Sequence, residues 1–198
     1  MAFAIDFQTI TPSLYAWHAY EPAVKCELSS CALDAGDGLI FIDPIELSET
    51  AFTNLLHGRK PKAIILTNEN HTRAAENFRA RLGVKVFASD DAIGLDIIPD
   101  ETLVHSHDAP GKLQIISLPG AAAGEIALVG NGIVCIGDAL IHLPPDGLRI
   151  LPDKYCANPA QLRHSLRKLL FCDFQVMTFA HGAPLVESAR QKLEQLLA

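Results

Sequence analysis

Apolar residues fall along this chain in two rhythms. Short runs rich in β-branched residues alternate with stretches where apolar residues return every three or four positions. Ala63-Ile64-Ile65-Leu66 is the clearest run and predicts a buried strand. A polar turn follows, Thr67-Asn68-Glu69-Asn70-His71-Thr72-Arg73, and then Ala74, Ala75, Phe78 and Leu82 recur at helical spacing until Gly83 closes the helix with a left-handed cap. Upstream, strands are predicted over residues 14–20, 26–33 and 39–42, the last two joined through Gly36-Asp37-Gly38. Ser48 is placed to cap a helix whose apolar face is Phe52, Leu55 and Leu56. Downstream, strands are predicted over 84–87, 102–106 and 113–118, and a hairpin over 125–129 and 133–136 turns at Gly130-Asn131-Gly132. Asn158-Pro159 supplies cap and first-turn proline for a helix facing inward with Leu162, Leu166, Leu169 and Leu170. A last strand spans 174–179. Pro184 is predicted to open a final helix carrying Leu185, Ala189, Leu193 and Leu196 or Leu197.

The order is β-rich, α, β, α, then the same again. Two sheets packed face to face with helices outside satisfy it, and a single domain over residues 1–198 is expected. With 49% hydrophobic residues the chain can fill a large core. A net charge of −7 argues against a nucleic-acid or anionic-membrane surface. The most apolar span, 126–143, is interrupted by Gly130, Asn131, Gly132 and Asp138, which excludes a membrane helix there. Residues 1–20 carry no signal-peptide pattern, and the five cysteines lack CxxC spacing. Both features suit reduced thiols and a cytoplasmic location.

Four polar or small-residue clusters follow predicted strands: residues 68–73, the Pro119–Gly124 loop, Gly137-Asp138 and His181-Gly182. Strand ends are where α/β sheets gather their chemistry. With Ile42-Asp43-Pro44, Leu66-Thr67, Leu118-Pro119-Gly120 with Gly124, Ile136-Gly137-Asp138 and Ala180-His181-Gly182, the chain resembles the metallo-β-lactamase superfamily over nearly its whole length. That resemblance implies an α+β fold, a four-layer αββα sandwich. It also implies a hydrolase whose histidines and aspartates hold two metal ions that activate hydroxide.

The chain departs from the family at most ligand positions. Asn68 and Asn70 stand where the H-x-H-x-D-H motif has its first two histidines. Thr72 stands for the aspartate, Arg73 for the fourth ligand and Ala121 for the loop histidine. Asp138, at the bridging position, and His181, the last histidine, remain. His71 lies between matched positions and is the candidate third ligand, with capping of the following helix as its structural alternative. Arg73 brings a permanent charge to a former metal position, and an Arg73–Asp138 ion pair in place of metal is expected. Glu69 is a candidate general base, giving Asp138, Arg73 and Glu69 as candidate catalytic residues. Asn68, Asn70, Thr72 and Ala121 are expected to line the cleft. Asp43 is expected to hold a loop by hydrogen bonds. His105 and His107 alternate on a predicted strand and suggest a surface pair.

Three functions fit these residues. The first is a hydrolase-like protein whose dinuclear site is dismantled, inactive or working without metal, with a small-molecule cleft at the strand ends. The second is a hydrolase of esters, thioesters, lactones or phosphoesters with one zinc, iron or manganese ion on Asp138, His181 and His71. The third is a protein-interaction module. The first implies no cofactor, and a homodimer is compatible with all three.

Overall fold

The computed structural model describes residues 2–104 and 108–198. The chain opens with β1 (Phe3–Ala4), β2 (Gln8–Thr11), β3 (Leu14–Glu21), β4 (Cys26–Asp34), β5 (Leu39–Ile42) and β6 (Glu46–Leu47). Helix α1 (Glu49–Leu56), β7 (Pro61–Leu66), α2 (Ala75–Leu82), β8 (Lys85–Ser89) and β9 (Glu101–Leu103) follow. The second half contributes β10 (Gln114–Ser117), β11 (Ile126–Gly130), β12 (Ile133–Ile136), β13 (Leu140–Leu143), β14 (Gly147–Ile150), α3 (Pro159–Leu166), β15 (Val176–Phe179) and α4 (Ala189–Leu197). One sheet has the order β2-β3-β4-β5-β7-β8-β9 and the other β10-β11-β12-β15. The β4–β5 pair is antiparallel, whereas β5–β7–β8–β9 run parallel, with α1 and α2 making the first two crossovers and an irregular segment, residues 90–100, the third.

The period of two along each central strand builds the layers. On β5 and β7, Leu39, Phe41, Ile64 and Leu66 turn outward to Phe52, Leu55 and Phe78 of α1 and α2. Ile40, Ile42 and Ile65 turn inward, where they meet Ile126, Leu128, Ile133 and Cys135 of the second sheet. On that sheet Ala127, Val129, Val134 and Ile136 face out toward Leu162 and Leu166 of α3 and Leu193 and Leu197 of α4. The result is the expected αββα sandwich. Both faces of the central strands are covered, so they read as continuous apolar runs.

Several boundaries differ from expectation. The final helix starts at Ala189, and Pro184 and Leu185 precede it: Leu185 pairs with Met177 as an isolated bridge, which holds this segment extended. Leu169 and Leu170 lie in a 3-10 segment that continues α3. The short hairpin β13–β14 was not predicted. His105 and His107 lie outside the described residues. All five cysteines are free, and Cys135 is in the inter-sheet core. Among the described residues no helix is long and apolar enough to cross a membrane.

Candidate metal centre

The two sheets meet along one edge, and the candidate residues collect there. Ser29 of β4 donates its N–H to the Ala180 carbonyl beyond β15 at 2.8 Å, and Ile126 of β11 donates to the Thr67 carbonyl at 2.9 Å. These bonds zip the ends of β7 and β15 against the opposite sheet. Asp43, the turn after β7, Asp138 after β12 and His181 after β15 therefore face one another.

The turn after β7 is built by its own side chains. Asn68 accepts from the Asn70 N–H at 2.9 Å, an Asx turn. Asp43 accepts from the Thr67 N–H at 2.8 Å and from the Thr67 hydroxyl at 2.6 Å, so it holds this turn as expected. Asp43 and Arg73 both carry positive φ, 48° and 38°, which marks a strained, tightly determined segment. Within this turn His71 points inward and is 2% exposed.

His71 Nδ1 lies 2.9 Å from both Asp43 Oδ2 and Thr67 Oγ1. The carboxylate can only accept, so Nδ1 carries a proton and Nε2 points into the site. Nε2 lies 3.2 Å from Asp138 Oδ1. His181 repeats the arrangement. Its Nδ1 donates to the Glu27 carbonyl at 2.9 Å, and its Nε2 lies 3.1 Å from the same Asp138 oxygen. The three candidate ligand atoms all lie within 4.8 Å of one another. Two imidazole lone pairs and a carboxylate thus converge, and the group needs a cation or protons among them. Without a metal, protons serve. Burial opposes the charge on His71, but Asp138 and Asp43 outweigh it and raise its pKa to about 9. Burial likewise opposes His181, and its bond to Asp138 carries it to about 10. Burial would raise Asp138, but the two imidazoliums hold it well below the usual carboxylate range.

The donor set fits a transition metal. Each imidazole is oriented by an acceptor on its far nitrogen, the arrangement that usually fixes metal-binding histidines. Ligands bound at about 2.0–2.1 Å around a tetrahedral ion lie roughly 3.3 Å apart, close to the 3.1 and 3.2 Å found here.

The remaining candidates have other partners. The expected Arg73–Asp138 ion pair is not formed. The guanidinium donates instead to the carbonyls of Ser29 at 2.7 Å, Asp43 at 3.2 Å and Ala180 at 3.3 Å, which these strand ends offer closer at hand. Glu69 accepts from the Ala123 N–H at 3.3 Å. Asn70 and Ala121 line a cleft of about 660 Å³ with Pro119, Tyr155 and Lys154. Thr72 is half-buried and accepts from the Ala75 N–H at the start of α2, and it is not among the residues lining that cleft. Asn68 is buried, bonded to Asp138 at 3.1 Å.

Two participants escaped the sequence reading. Glu125 is buried, accepts from Asn68 Nδ2 at 2.7 Å and from the Ala139 N–H at 2.9 Å, and lines the cleft. The Cys26 thiol lies 3.4 Å from His181 Nδ1, and that hydrogen bond lowers its pKa. Each partner is far away in sequence, so no local spacing marks them. Gly137, by contrast, is a signal that was available. A Cβ there would lie 2.5 Å from Thr67 Oγ1 and 2.8 Å from Glu125 Oε1, so only glycine lets Asp138 approach.

A four-layer sandwich with histidines and a carboxylate at its strand-end seam defines a hydrolase-like metallo-fold. The model of the metallo-beta-lactamase superfamily matches residues 8–198, and the chain belongs to that superfamily. Among solved structures it is similar to a metallo-beta-lactamase from Pontibacter korlensis, with 15% identity, TM-score 0.74 and 98% of each chain covered. It is also similar to the metallo-beta-lactamase FIM-1 from Pseudomonas aeruginosa in its mono-zinc form, with 16% identity, TM-score 0.75 and coverage of 98% and 94%. A metallo-beta-lactamase family protein from Thermus thermophilus shares 19% identity at TM-score 0.66, covering 96% and 79%. No curated protein matches the chain.

Proposed function

We propose that this protein is a metal-assisted hydrolase with one ion held by His71 Nε2, Asp138 Oδ1 and His181 Nε2. The observation that carries the reading is the convergence of these three ligand atoms, all within 4.8 Å of one another and the two Nε2 atoms 3.2 and 3.1 Å from Asp138 Oδ1, while both Nδ1 atoms are engaged elsewhere. Such an ion supplies Lewis acidity toward a carbonyl or phosphoryl oxygen and eases deprotonation of water at neutral pH. The chain's own residues do the rest. Asp43 and the Glu27 carbonyl fix the two imidazoles. The cleft beside Asn70, Ala121 and Glu125 receives an ester, thioester, lactone or phosphoester. Glu69 lines it as the candidate base, and a similar structure is described in a mono-zinc form.

The test is elemental mass spectrometry on untagged protein from metal-supplemented growth. About one equivalent of zinc, iron or manganese is expected, lost in His181→Ala and in His71→Ala. If the wild type retains no metal and takes up none on titration, the dismantled, metal-free reading replaces this one. Ligand-binding screens of the cleft would then follow.

A further inference from the structure

Asn68 stands where the family resemblance puts a first histidine ligand, and three hydrogen bonds fix its amide. Its Oδ1 accepts from the Asn70 N–H at 2.9 Å. Its Nδ2 donates to Asp138 Oδ2 at 3.1 Å and to Glu125 Oε2 at 2.7 Å. The only lone-pair atom of this side chain is therefore turned to the backbone, and its N–H2 group is turned to the site. Glu125 is fixed in turn by the Ala139 N–H, on the residue after Asp138, at 2.9 Å from Oε1. Both side chains are buried, Asn68 completely. The chain Glu125–Asn68–Asp138 runs from the cleft wall to the carboxylate that faces both histidines.

We infer that Glu125 is a positioning residue, acting through Asn68 to aim Asp138 at the ion, and that the same pair restricts the site to a single ion. This rests on the one-ion reading above. The physical reason for restriction is polarity. A second cation at the first-histidine position would meet the positive end of an amide, which Glu125 keeps from turning over. Asn70 and Ala121, which stand where the family resemblance puts the second and the loop histidine, add no imidazole. For positioning, the reason is that Asp138 Oδ2 is anchored by Asn68 while Oδ1 stays toward the imidazoles. Outer-shell partners of this kind usually contribute 10–100-fold to metal affinity.

The experiment measures zinc affinity by competition with a chromophoric chelator, and zinc stoichiometry by elemental mass spectrometry. The proteins are the wild type, Asn68→Ala, Glu125→Gln and the double variant. In Glu125→Gln an N–H2 group replaces one of the two acceptors, so Asn68 and the Ala139 N–H can no longer both be satisfied. Circular dichroism of each metal-free protein shows that it is folded, and Asn68→Ser replaces Asn68→Ala if that variant is not. The expected result is one equivalent in the wild type, with affinity about 10–100-fold weaker in each single variant. The double variant should bind no more weakly than Asn68→Ala, because Glu125 acts through Asn68. Unchanged affinity in both single variants, or fully additive losses in the double variant, would overturn the inference and leave the one-ion reading standing, whereas two tightly held equivalents in the wild type would overturn both. A wild type that binds no zinc overturns both.

Discussion

Glu125 is a buried acid whose charge the fold resists. Burial, and then the neighbouring Asp138 carboxylate, raise its pKa from 4.5 to about 8. The folded chain therefore holds this proton more tightly than the unfolded chain. Between those two values unfolding releases the proton, so stability falls as pH rises, by up to about 1.4 kcal/mol per pH unit. Glu125→Gln has no proton to lose and should be free of that slope. Melting of the metal-free wild type and variant is to be followed from about pH 5 to about pH 8. The variant should gain on the wild type steadily across the range, whatever their offset at the acid end. Parallel curves would mean that the carboxyl titrates as an ordinary surface group. The offset itself reports the acceptor lost to Asn68 or to the Ala139 N–H; only the slope reports the buried charge.

At the scale of elements, the site depends on how closely strand ends approach. Gly182 has φ +100°, and a Cβ there would lie 1.9 Å from the His142 carbonyl oxygen on β13. Gly182→Ala is expected to cost at least about 3 kcal/mol from left-handed strain and overlap together. It should also displace His181 and reduce metal uptake; a variant with wild-type melting and metal content would show that the segment yields freely. This closeness explains what the sequence could disclose. The central strands are readable because both their faces are buried, and Asp138 and His181 because each directly follows such a strand. His71 is readable as a histidine in a turn, but its inward position depends on hydrogen bonds to Thr67 and to Asp43, the latter 28 residues away. The hairpin β13–β14 is half-buried and turns through Pro144-Pro145-Asp146 just before Gly147, a run that reads as a loop. Glu125 meets Asn68 across 57 residues, and Cys26 meets His181 across 155. Such contacts are made by sheet packing and leave no trace in local periodicity.

For the whole molecule, the seam between the two sheets is both the candidate site and a structural joint, and Arg73 is its pin. From the turn after β7 it reaches Ser29 on β4, Asp43 after β5 and Ala180 after β15, three carbonyls from three parts of the fold. Burial, the largest influence, lowers its pKa, and Asp43 and Asp138 act in the opposite direction, so the charge is held by the field of the site without direct pairing. Lysine at this position keeps a charge but offers a single donor head with no planar fork, so at most one or two of the carbonyls keep a partner. Charge-assisted hydrogen bonds contribute about 1.5–3 kcal/mol each, and buried acceptors left unpaired add to the loss. Arg73→Lys is therefore expected to lose about 3 kcal/mol, a melting temperature lower by roughly 6–12 °C for a chain of this length. Because Arg73 ties both sheets, far-ultraviolet and near-ultraviolet circular dichroism should report one shared transition. Metal content should persist, since the three candidate ligands and their Nδ1 partners do not include Arg73. If Arg73→Lys melts like the wild type but loses its metal, the guanidinium belongs to the chemistry of the site and not to the joint.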